Sequence, residues 1–110
     1  MQTDLTKDER QAHAGLVRDI VAACAIKHPN DDERALRIAL MKRGDIEAPK
    51  MEITHVRRLF EAACELEFVE PAELAFRQSM GRLIANHHKL RELRGYVIGA
   101  PAPSAVAGKR

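Results

Sequence analysis

The chain has 110 residues, 45% hydrophobic and 31% charged, with a formal net charge of +2. That suits one soluble domain with a single modest core. Aromatics make up only 4%, with no Trp, so the core is aliphatic, which favours helices over sheets. The longest apolar run, residues 20–26, falls far short of the roughly 20 residues a membrane span needs. The N-terminus, MQTDLTKDER, has no apolar stretch of the secretory kind. The two cysteines, Cys24 and Cys64, lie far apart inside apolar helical patterns and read as small core residues in a reducing compartment. The expected location is the cytoplasm.

In chain order, Thr6-Lys7-Asp8-Glu9 is a capping box, so a helix is expected over about 6–27. His13, Leu16, Val17, Ile20, Val21 and Cys24 share its core face, and Pro29 bars continuation. A second box, Asn30-Asp31-Asp32-Glu33, opens a helix over 31–43 that Gly44 is expected to end. Leu36, Ala39 and Leu40 form one face of it, whereas Ile38 and Met41 point elsewhere. Such a helix packs between two neighbours, or else Ile38 and Met41 form an exposed apolar interface.

The third helix is expected over 49–67, opening at Pro49 or Thr54. Val56, Leu59, Phe60, Ala63, Cys64 and Leu66 fall in one arc. Pro71 opens the fourth, over 71–94, with Gly95 as its cap. Its apolar stripe, Phe76, Met80, Leu83, His87 and Leu90, has the four-three spacing of a coiled-coil repeat. That stripe suits packing within the monomer or a homodimer seam. Residues 99–110 are rich in Ala, Pro and Gly and are expected to be disordered. The fold expectation is therefore all-α: a small four-helix bundle-like domain over 1–98, with a flexible C-terminal tail.

Charge alternates along this plan. Residues 1–33 carry four basic and seven acidic side chains, and residues 34–60 carry seven and three. Residues 61–76 hold five Glu and no Lys or Arg, and residues 77–110 hold seven basic and one acidic. Blocks of this kind suit a charge-steered partner.

Two surfaces are candidates for binding. The stretch ITHVRRLFEAACELEF resembles the opening of a helix-turn-helix recognition helix, with Thr54, Arg57 and Arg58 as DNA contacts. Against that reading, Glu61 stands one turn from both arginines and can pair with them, and a Glu aimed at phosphates weakens binding. The stronger surface is a cationic ridge on the fourth helix: Arg77, Arg82, His88, Lys89, Arg91 and Arg94, interrupted by Glu92.

The five histidines show no metal-ligand spacing, and adjacent His87 and His88 point about 100° apart on a helix. No nucleophile with its base, and no phosphate-cradling glycine motif, is legible. No cofactor, metal or catalytic activity is expected. The expected role is a non-enzymatic binding protein (an adaptor, small subunit or inhibitor) whose partner is another protein. Nucleic acid is the alternative partner.

Overall fold

A computed structural model describes residues 5–67 and 69–98, with side chains described as far as Leu90. The chain is all-α. It forms α1 (Lys7–Cys24), α2 (Asp31–Glu47), a 3-10 turn (Ala48–Lys50), α3 (Ile53–Cys64) and α4 (Pro71–Ile98). The expected tail, residues 99–110, lies outside the described residues.

The starts of α1 and α2 follow from their capping boxes. Thr6 Oγ1 accepts from the Glu9 amide at 3.1 Å, and Glu9 Oε1 accepts from the Thr6 amide at 2.8 Å. Asn30 and Glu33 make the same reciprocal pair at 2.8 and 2.9 Å. Each box satisfies two of the amides that a helix N-terminus leaves open. At the head of α4, Pro71 takes the first helical position, and Glu73 Oε1 accepts from the Glu70 amide at 2.9 Å.

The helix ends differ from the sequence expectation in instructive ways. Neither Gly44 nor Gly95 stops its helix, because no described glycine has the positive φ of a left-handed cap. α2 runs through Gly44 to Glu47, and α4 runs through Gly95 to Ile98. α1 stops at Cys24, three residues early, with the Ala25 amide still bonded to the carbonyls of Val21 and Ala22. Pro49 belongs to the 3-10 turn, and α3 begins only at Ile53 without a side-chain cap. It also ends before Glu67, at Cys64.

Contacts set the topology. His13 meets Glu47 and Ala23 meets Arg37, so α1 and α2 form an antiparallel hairpin. Arg57 meets His88 and Ala63 meets Arg77, so α3 and α4 form another. Arg34 pairs with Glu70 and Arg37 with Glu73, which makes α2 and α4 parallel neighbours. α1 packs on α3 across the other side. Each helix therefore has its main contacts with two others, and the two hairpins lie side by side.

The core between them is aliphatic, as the composition requires. Ile20, Leu59, Phe76 and Met80 are its fully buried centre, joined by Leu16, Val17, Met41 and Val56. Burying each such side chain stabilises the fold by about 1.5–3 kcal/mol before entropy is set against it.

α2 departs from its expected face. Its buried residues are Arg37, Met41 and Gly44, continued by Ala48 in the turn, at coiled-coil spacing. Leu36 instead is 58% exposed, and Leu40 is only half-buried. The reason is steric and electrostatic. A Cβ at Gly44 would lie 2.9 Å from Phe76 Cε1 and 3.0 Å from Ile20 Cδ1, so the bare backbone itself is a packing surface. Arg37 turns inward because Glu73 waits there. α2 does pack between two neighbours, α1 and α4, as its two-sided apolar pattern implied. The exposed-interface alternative fails for Met41, which is core, and Ile38 is half-buried.

Candidate interaction surface

The apolar stripe of α4 changes character along its length. Phe76 and Met80 are fully buried, Leu83 and His87 are half-buried, and Leu90 is 55% exposed. Phe76 and Met80 belong to the chain's own core, and Leu83 packs against it. His87 and Leu90 are the described stripe residues outside that core. Among the described residues, the other exposed large apolar side chains are Leu36 and Ile46 on α2 and Leu74 on the first turns of α4. Single exposed apolar residues are ordinary and define no patch.

The cationic ridge is thinner than its sequence spacing implied. Arg77 is half-buried and turned toward α3, where its Nη2 donates to the Ala63 carbonyl at 3.2 Å. The Ala63 carbonyl also accepts from the Leu66 amide at 3.3 Å, so Arg77 adds a second bond there, and its Nε is buried with no partner among the described residues. Gly81, on the same side, lies under Phe60, whose ring would be 3.3 Å from an added Cβ. Arg82 and Lys89 are exposed as expected, and Arg82 Nη2 donates to Ser79 Oγ at 3.2 Å. Arg91 and Arg94 continue α4, but their side chains lie outside those described.

What the ridge loses at Arg77 it gains from α3. Arg57 Nη2 and His88 Nε2 are 3.1 Å apart, both on exposed side chains. Arg57 can only donate, so the contact is a hydrogen bond when His88 Nε2 is unprotonated. The antiparallel packing of α3 on α4, with Phe60 set over Gly81, brings these two residues together. Their sequence separation of 31 gives no hint of it. The DNA-contact set and the ridge, separate in sequence, thus meet at one node. Thr54 and Arg58 are exposed on α3 as well. His87 turns its ring edge-on to His88, with centroids 6.2 Å apart.

A second polar assembly lies at the opposite end of the hairpins and is buried. Arg37 is 4% exposed and Glu73 wholly buried, and Arg37 Nε donates to Glu73 Oε2. Arg37 Nη1 donates to the Ala23 carbonyl at 3.4 Å, while Glu73 Oε1 accepts from the Glu70 amide. Both carboxylate oxygens are satisfied, and α1, α2 and α4 are tied at one point. Apolar periodicity does not reveal this pair, because both of its members are charged. The legible signal was Glu73 at the third position after Glu70, where a capping glutamate reaches back.

Cys24 sits beside the pair, and burial pushes its thiol up to about 11. Cys64 is exposed, contrary to the core role its spacing implied, because it stands about 100° around α3 from the fully buried Ala63, at the edge of the buried stripe. A cleft of about 570 Å³ opens above the pair, between the Cys24–Pro29 connection and residues Glu65–Glu67, Val69 and Glu70.

Elsewhere His13 is buried on α1, with Nε2 3.2 Å from Glu47 Oε1. Asp45 on α2 is half-buried, and that burial raises its carboxyl, against the opposing pull of Ser79 and Arg82. Among the described residues, no three His, Cys, Asp or Glu side chains converge as metal ligands. No described helix is long and apolar enough to cross a membrane. No family model, curated protein or solved structure matches the chain.

Proposed function

We propose that the protein is a non-enzymatic binding protein that meets an acidic protein surface through the face shared by α3 and α4. The observation carrying this reading is the Arg57–His88 contact. It brings Arg57 of α3 to His88 of α4, and Arg82 and Lys89 of α4 are exposed as well. Exposed cations on packed helices steer an acidic partner by long-range attraction. The roles that fit are adaptor, small subunit or inhibitor.

A DNA-binding reading draws on the same exposure, since Thr54, Arg57 and Arg58 stand on the first two turns of α3. A recognition helix is braced by the helix before it, however, and α3 takes its main contacts from α1 and α4. The deciding experiment compares an Arg82→Glu/Lys89→Glu protein with an Arg57→Ala/Arg58→Ala protein. Each is assayed for capture of a cognate protein and for retention of duplex DNA at low and moderate salt. The proposal expects charge reversal on α4 to abolish protein capture and duplex retention to be weak throughout. If Arg57→Ala/Arg58→Ala alone abolishes tight, steeply salt-dependent duplex binding, the recognition-helix reading replaces it.

A further inference from the structure

We infer that the buried Arg37–Glu73 pair is a register lock: it selects which face of α2 docks into the bundle. The argument begins with what α2 offers. The docked face presents Arg37, Met41, Gly44 and Ala48, of which only Met41 is a large apolar side chain. About 100° around the helix, one residue step, lie Leu36 and Leu40. Leu36 is exposed and Leu40 only half-buried. Leu40 packs against the core from the edge of the docked face, and Arg43 and Glu47 continue the neighbouring one, so apolar content alone does not choose between the two.

Two features choose instead. Gly44 gives Phe76 and Ile20 a close approach, and a rotation of α2 would put a larger side chain there. Arg37 reaches Glu73 and the Ala23 carbonyl only in the observed rotation. Rotated by one step, α2 would leave Glu73 buried on α4 without its cation. An unpaired buried carboxylate is a severe penalty, so the alternative packing is excluded far more strongly than the observed one is stabilised. Glu73 is held in place for this by its bond to the Glu70 amide, and Arg34–Glu70, at 3.3 Å, repeats the register at the surface. The pair thus acts by raising the competitor, which is how a buried polar group fixes register in packed helices.

The test replaces both partners with apolar side chains of similar volume, Arg37→Met with Glu73→Leu, in a Cys64→Ser background. Leu36→Cys or Met41→Cys then reports which face is covered, by alkylation with mass mapping that separates either site from Cys24. With the lock present, position 36 reacts readily and position 41 is protected. With the lock replaced, the chain stays helical and cooperatively folded, position 36 slows and position 41 speeds up, each by about tenfold or more, as a second packing becomes populated. An unchanged alkylation pattern in a folded double variant overturns the inference. Failure of the double variant to fold also overturns it, because the pair would then be a source of stability rather than of selection.

Discussion

Helices α3 and α2 solve the same packing problem in opposite ways. α3 buries Val56, Leu59 and Ala63, with Ile53 and Phe60 flanking them: a continuous apolar stripe that any core would accept. α2 buries an arginine, a methionine and a glycine while leaving Leu36 in solvent. The first helix is placed by hydrophobicity, which is strong and indifferent to detail. The second is placed by shape at Gly44 and by charge at Arg37, which tolerate only one arrangement. Small apolar changes should therefore be absorbed gradually in α3, whereas α2 should fail abruptly where its special residues are touched.

The largest expected effect follows from removing one half of the buried pair. Glu73→Ala leaves the Arg37 guanidinium buried without its carboxylate and frees the Glu70 amide, so a loss of about 3–5 kcal/mol is expected in urea unfolding. Leu59→Ala, at the centre of α3's stripe, should cost about 2–5 kcal/mol through lost burial and the cavity left behind. The comparison is sharpened by a second site. Adding Arg37→Met to Glu73→Ala should recover much of the first loss, whereas no substitution on α2 should recover the second. Equal, non-recoverable losses would mean that the two helices are held by the same kind of force.

Gly44→Ala comes next. On an exposed helix the change gains about 1 kcal/mol, because alanine is the better helix former. Here the new methyl meets Phe76 and Ile20 at 2.9 and 3.0 Å, both in the core, so a net loss of about 1–3 kcal/mol is expected. Gly15→Ala is the control. Its nearest contact, Arg18 Nη2 at 3.7 Å, is ordinary, and the substitution should be stabilising by thermal melting. If Gly44→Ala also stabilises, close approach at that turn is not what seats α2.

These contrasts explain how much of the molecule was legible in its sequence. Both reciprocal capping boxes and the α1 and α3 core faces could be read, because caps and apolar periodicity are local properties. The end of α2 could not, since a glycine that stops a helix and one that lets two helices touch are the same letter. The docked face of α2 was hidden because an inward arginine has meaning only beside the glutamate 36 residues later. The candidate surface was half legible. Helical spacing puts Arg82 and Lys89 on the solvent side, where both are exposed, but the diversion of Arg77 to Ala63 and the union of Arg57 with His88 depend on how α3 lies against α4.

The smallest expected effect is the sharpest check on α2. Periodicity places Leu36 on the buried face with Leu40, and a leucine there would cost about 2–5 kcal/mol on truncation to alanine. At 58% exposure it has little burial to lose. Alanine also forms helix at least as well as leucine, which offsets part of what remains. Leu36→Ala should therefore change the unfolding free energy by less than about 0.5 kcal/mol, in either direction. In the Arg37→Met/Glu73→Leu background the same truncation should become costly, since Leu36 is then drawn into the core of the second packing. A double-mutant cycle measured by urea unfolding reads this directly. Additive energies would mean that α2 keeps its rotation without the pair, and that Gly44 alone holds it there.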